Sequence, residues 1–83
     1  MYKLIEQKFI DFLSTEVSLI RLEFFGLPSD DFFNLGSAKI LEEFEEELKK
    51  DGYKEKTILS TIEEIYDSVF YMDLIYQKLE KEN

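Results

Sequence analysis

The chain contains no cysteine, no histidine and no tryptophan, and only one proline and three glycines among its 83 residues. Without cysteine, disulfides and thiolate metal sites are excluded. Without histidine, the chain lacks the commonest metal ligand and the commonest general base. Its serine and threonine hydroxyls have no imidazole to activate them, and no glycine-rich phosphate loop is present. The sequence therefore predicts a protein that is not an enzyme, with no catalytic residues, no metal site and no cofactor.

Long apolar runs are also missing. No stretch of 18 or more apolar residues exists that would predict a membrane span. Charged residues interrupt the apolar pairs between Met1 and Glu6, which is unlike a secretory signal. We therefore expect a cytoplasmic protein. The single alanine and the many Lys, Glu, Ile, Phe and Tyr residues suit an AT-rich bacterial or phage genome.

Acidic residues dominate the charge of the chain, with 19 acidic and 10 basic side chains and a net charge of −9. Nucleic acid and anionic lipid are poor partners for such a surface, because both favour a basic patch. Hydrophobic residues make up 45% of the sequence and include eight Phe and five Tyr. So many aromatic side chains are hard to bury completely in so short a chain. We expect a protein partner of basic character, with a second copy of the chain as the alternative.

Apolar residues recur at three- and four-residue steps, a period typical of helices. They predict helices over about 2–25, 38–50 and 55–81, and the segment between Pro28 and Gly36 predicts one short helical turn. The expected fold is a single all-α domain over residues 1–83, a small bundle of three long helices and one short helix. The helices at 38–50 and 55–81 are expected to be antiparallel, with the first helix lying across both.

The last predicted helix has the most regular pattern in the chain. Its apolar residues alternate between three- and four-residue steps and form a row along one side of the helix, which we call the seam. A seam of this kind packs against another helix at a shallow angle. At ~1.5 Å per residue the helix would be about 40 Å long, longer than the breadth of a compact chain of this size. The seam consists of Ile58, Ile62, Ile65, Val69, Met72, Tyr76 and Leu79.

Two groups of residues are candidates for binding a partner. The first is an acidic run in the predicted helix 38–50, which would meet a basic partner or, alternatively, only face solvent, since surface charges contribute little to stability. It consists of Glu42, Glu43, Glu45, Glu46 and Glu47. The second group is Tyr71, Leu74 and Ile75, which would form an oligomer interface or be covered by the first helix.

The string ILEEFEEELKKDGYKEKTILSTIEEIYDSVFYM, residues 40–72, resembles the helical hairpin of the core-binding domain of tyrosine recombinases. The likeness lies in the apolar steps before Gly52-Tyr53 and in the segment Lys56-Thr57-Ile58 after them. It implies an antiparallel helix pair. In that family the hairpin helps to clasp DNA, but the face that should be basic carries five glutamates in this chain.

Together these features favour a small acidic protein that binds a basic protein and thereby inhibits or regulates it. Phage-encoded inhibitors of host defence, immunity proteins and antitoxins are proteins of this kind. The alternative is a structural homo-oligomer or assembly subunit that works through the apolar end of the last helix.

Overall fold

The computed structural model describes residues 3–23 and 26–80, with their side chains except those at 16–19, 21–23 and 29. Every regular element in these two ranges is a helix, so the prediction of an all-α fold is confirmed. The lengths of the helices differ from those expected. The described ranges contain four helices: α1 (Lys3–Glu23), α2 (Ser29–Lys50), α3 (Glu55–Tyr66) and α4 (Val69–Glu80).

Helix α2 joins two segments that the sequence predicts to be separate, the short turn and the helix at 38–50. Gly36 was expected to end a helix, yet it lies within α2 and is buried. A Cβ atom at this position would lie 3.2 Å from Leu79 Cδ1 of α4, closer than ordinary van der Waals contact. The missing side chain therefore lets α4 approach α2.

Helix α2 ends at Lys50, as the sequence predicts, and Gly52 follows its C-cap residue Asp51. The backbone of Gly52 has φ +85°, a left-handed conformation that glycine adopts without a steric penalty. The N–H groups of Gly52 and Tyr53 donate to the carbonyl oxygens of Lys49 and Leu48, at 3.0 and 3.2 Å. This is the Schellman arrangement, and Tyr53 also packs against the core beside it.

The predicted helix at 55–81 is broken at Asp67 and Ser68 into α3 and α4. The Ser68 hydroxyl accepts a hydrogen bond from the backbone N–H of Tyr71 at 3.2 Å, so Ser68 caps the start of α4. The break removes the 40 Å helix, and the described residues form a body of 36 × 24 × 19 Å.

The break changes which residues of the last segment face the core. In a continuous helix the seam that contains Ile65 would continue through Val69 and Met72. Instead Val69 is 86% exposed, Met72 is only partly buried, and Tyr71 and Ile75 enter the core. The inward face therefore shifts by one residue at Tyr71, which corresponds to about 100° around a helix.

Aromatic contacts join α1 to α2 and α4. The Phe9 ring lies 5.0 Å from the Phe44 ring and 6.0 Å from the Tyr71 ring, both edge-to-face. Such pairs contribute about 0.5–1.5 kcal/mol each beyond the burial of their area. Gly36 near the start of α2 meets Leu79 near the end of α4, so these helices are antiparallel as expected.

Helix α1 lies across α2 and α4 but, within the described ranges, makes no close backbone approach to α3. The prediction that the first helix lies across the helices at 38–50 and 55–81 is therefore met by α2 and, in the last segment, by α4. The buried apolar residues are Ile5, Phe9, Phe12, Leu13, Ile20, Ile40, Leu41, Phe44, Leu48, Ile58, Ile65, Tyr71, Ile75 and Leu79.

Candidate protein-binding surfaces

The five glutamates predicted to bind a partner do not share one face of α2. Glu42 and Glu46 are exposed on the side away from the core residue Phe44. Glu43 and Glu47 lie on one flank and Glu45 on the other, and all three are partly buried. The outward acidic surface of α2 therefore consists of Glu42 and Glu46, with the other carboxylates at its borders.

Lysine side chains neutralise part of this run. Lys39 pairs with Glu43 at 3.5 Å, and Lys49 pairs with Glu45 at 3.4 Å and Glu46 at 3.6 Å. The hydrogen bond to Glu45 and the charges of both carboxylates raise the pKa of Lys49. Because these pairs are exposed, they add little to stability.

The predicted oligomer interface is placed differently. Tyr71 is 8% exposed and Ile75 is fully buried, whereas Leu74 is partly buried against the core. The Tyr71 ring packs on Phe9 of α1, so α1 covers Tyr71 within one chain. Tyr71 and Ile75 are therefore core residues, and for Tyr71 the structure shows the alternative that the sequence left open, cover by the first helix. The one-residue shift at the α3–α4 break is the physical reason.

The Tyr71 hydroxyl donates a hydrogen bond to Glu6 Oε2 of α1. This bond, together with burial and the negative charge of Glu6 and Glu64, raises the pKa of Tyr71 to about 12. The hydrogen bond between Tyr71 and Glu6 joins α4 to α1, so both residues stabilise the fold.

Exposed apolar residues gather where α3 meets α4. Tyr66 is 52% exposed, Val69 86% and Phe70 62%, and we call these three residues the junction patch. Large apolar side chains that cluster on a surface often mark a site of protein binding. Aromatic residues are also enriched at the surfaces where proteins bind one another. Tyr66 and Phe70 lie outside the predicted seam, whereas Val69 was predicted to belong to it.

A shallow groove of about 370 Å³ adjoins the junction patch, and we call it the junction groove. Three of its residues are aromatic, and two rings meet across it, Phe33 of α2 and Tyr76 of α4, with centroids 5.4 Å apart. The full lining is Phe33, Tyr66, Asp67, Ser68, Val69, Met72, Asp73 and Tyr76.

A second cavity of about 280 Å³ lies between α1 and the α2–α3 turn. Lys8 and Asp51 form an ion pair beside it, and their hydrogen bond is the main reason that the pKa of Lys8 is raised. The cation is therefore already paired with a carboxylate of its own chain. Mixed charges of this kind give the cavity no clear preference for a ligand.

Within residues 3–23 and 26–80 no group of three or more acidic side chains is placed to hold a metal ion. In the same ranges no helix is long and apolar enough to cross a bilayer. Comparison of the chain with protein-family models, curated proteins and solved structures finds no significant match.

Proposed function

We propose that this chain is a non-enzymatic protein-binding module of the cytoplasm that inhibits or regulates a basic partner protein. The observation that carries the proposal is the junction patch. Val69 is 86% exposed, the highest value among the large apolar side chains described, and Tyr66 and Phe70 flank it. An apolar patch with aromatic members, at the border of a groove, is the usual core of a protein interface.

The net charge of −9 supplies the second part of the proposal. Charges on an exposed surface contribute more to the rate of association and to the choice of partner than to affinity. We propose that Glu42 and Glu46 on the outer side of α2 attract the basic partner, while the junction patch makes the contact that excludes water.

The proposal is tested by capture of partners from a host lysate on the tagged chain, with bound proteins identified by mass spectrometry. Four baits are compared: the unchanged chain, Tyr66→Ser with Val69→Ser, Glu42→Gln with Glu46→Gln, and Leu4→Ser. Leu4 is exposed and apolar but lies outside the patch, so its variant is the matched control.

We expect one basic protein to be retained by the unchanged chain and by Leu4→Ser, and lost with the Tyr66/Val69 variant. The unchanged chain should capture less of the same protein when the lysate is incubated at high salt, because salt screens surface charges beyond roughly 8–10 Å. The proposal is wrong if no basic protein is retained, or if the patch variant and Leu4→Ser retain it equally.

The exposure of Val69 and Phe70 also favours a second candidate, a homo-oligomer that buries the junction patch between two copies. Light scattering coupled to size exclusion tests it directly. A dimer mass that the Tyr66→Ser and Val69→Ser changes reduce to a monomer mass would support it. A monomer at high protein concentration would reject it.

A further inference from the structure

The junction groove combines aromatic rings with negative charge. Phe33, Tyr66 and Tyr76 contribute rings, and Asp67 and Asp73 contribute carboxylates. None of the eight residues that line the groove is basic. A groove with this lining has two kinds of attraction for a cation, the face of an aromatic ring and an opposite charge.

The geometry of the rings is held by contacts that exist without a ligand. Phe33 packs against the core, and its ring meets Tyr76 at an interplanar angle of 64°. The two rings therefore form a corner in which one ring presents its edge and the other its face. A corner that is already formed costs a ligand less ordering on binding.

The carboxylate of Asp73 is also oriented. Gln77 Nε2 donates a hydrogen bond to Asp73 Oδ2 at 2.7 Å, which occupies one of the two carboxylate oxygens. The other oxygen is left to accept from a ligand. Asp67 follows the last turn of α3 and lines the same groove, so the negative charge comes from both helices.

We propose that the junction groove binds the guanidinium group of an arginine side chain from the partner protein, an inference that rests on the proposed function. Arginine fits because its planar cation stacks on aromatic rings while its N–H groups reach carboxylates. A second copy of this chain fits less well, since a symmetric contact through the groove would bring four carboxylates together, two from each copy.

The probe for the test is a blocked Gly-Arg-Gly peptide, added to the full chain labelled with ¹⁵N and followed by NMR. The comparison peptides carry citrulline, which has the shape of arginine without its charge, or lysine. We expect the chemical shifts of backbone amides to change most at residues 66–69, 72–73 and 76. With the arginine peptide these changes should reach saturation. The citrulline peptide should bind about two- to fivefold more weakly, the size of a cation–π contact at an exposed site.

Two variants remove one attraction each. Asp73→Asn deletes a groove charge, and Tyr76→Leu deletes a ring. Asp11→Asn is the matched control, because Asp11 is an exposed helical carboxylate that also accepts a hydrogen bond from a glutamine, Gln7 Nε2, at 3.0 Å. We expect Asp73→Asn and Tyr76→Leu to weaken arginine-peptide binding several-fold and Asp11→Asn to leave it unchanged.

The inference is overturned if the citrulline peptide binds equally, or if shifts centre on the glutamates of α2. It is also overturned if Asp11→Asn weakens binding as much as Asp73→Asn, because attraction would then be non-specific. These outcomes differ from failure of the proposed function. A chain that captures a basic protein through the junction patch but ignores the peptide contradicts only the arginine site. A chain that binds the peptide at the groove but captures no protein contradicts only the proposed function.

Discussion

At the scale of single residues, the link between Tyr71 and Glu6 couples the fold to alkaline pH. The hydrogen bond to Glu6 raises the pKa of Tyr71 in the folded chain to about 12, above the value near 10 of a free tyrosine. An acid whose pKa is raised on folding holds its proton more tightly in the folded state. Its contribution to stability is therefore complete below pH 10 and is lost as the pH rises towards 12.

The Tyr71→Phe change tests this coupling. We expect the variant to lose about 1–2 kcal/mol at neutral pH, because the hydrogen bond to a carboxylate is deleted while the ring still packs on Phe9. Urea unfolding at several pH values between 8 and 12 measures it. The unchanged chain should lose stability more steeply than the variant above pH 10.

Lys8 titrates in the same alkaline range, since its bond to Asp51 raises its pKa above 10.5. The unchanged chain and the Tyr71→Phe variant both keep the Lys8–Asp51 pair. The titration of Lys8 therefore changes the stability of both proteins equally as the pH rises. The effect of Tyr71 is the difference between the profiles. Profiles that run parallel up to pH 12 would contradict the role assigned to the Tyr71–Glu6 bond.

Two glycines that look alike in the sequence act differently in the structure. Gly36 is needed for the close approach of Leu79, whereas Gly52 is needed for its positive φ and has open space where a Cβ would lie. Local sequence rules find the second kind, because the turn lies beside the glycine. They cannot find the first, because the contact comes from a residue far along the chain.

The Gly52→Ala change is expected to destabilise the chain by about 1–2 kcal/mol, the cost of a left-handed conformation for a residue with a Cβ. The Gly52→Asn change should cost less, because asparagine tolerates that conformation better. Chemical denaturation of both variants measures the difference. Equal losses would mean that backbone conformation is not the reason for glycine at this position.

At the scale of elements, helix periodicity identified every helical region but not the break between α3 and α4. The steps from Ile58 to Leu79 fit one continuous seam, and only the short pair Asp67-Ser68 signals a stop. Serine and aspartate are also common on exposed helix faces, so the local signal is weak. The contacts that accompany the break come from distant parts of the chain: Tyr71 and Ile75 are buried, and the Tyr71 ring packs on Phe9 of α1.

The break between α3 and α4 also limits how much of the candidate site can be predicted from the sequence. Tyr66 and Phe70 lie outside the predicted seam, and both residues are exposed. Val69 and Tyr76 were assigned to the seam, so their part in the patch and the groove could not be predicted. Phe33 joins them only because α2 continues through Gly36.

The Ser68→Ala change tests the cap that begins α4. We expect a loss of about 1 kcal/mol, because the N–H of Tyr71 loses its hydrogen-bond acceptor. Ser60→Ala, on the exposed side of α3, is the control and should be neutral or slightly stabilising. Thermal unfolding of both variants gives the comparison. A Ser68 variant as stable as the Ser60 variant would show that the break does not depend on the cap.

At the scale of the whole molecule, the charge of −9 acts on the fold and on the complex in opposite directions. Within the chain the excess of carboxylates repels itself, and Glu42 and Glu46 are one such pair at one-turn spacing in α2. Between the chain and a basic partner the same carboxylates attract. Added salt screens both effects.

We therefore expect NaCl raised from about 10 mM to about 300 mM to stabilise the free chain against urea while it weakens the complex with the basic partner. Glu42→Gln with Glu46→Gln should reduce both responses. Asp11→Asn with Glu63→Gln changes the net charge equally at exposed positions outside the acidic run. If only the total charge mattered, the two double variants would lose the same share of partner affinity. A larger loss for the α2 variant would place the attraction on that helix.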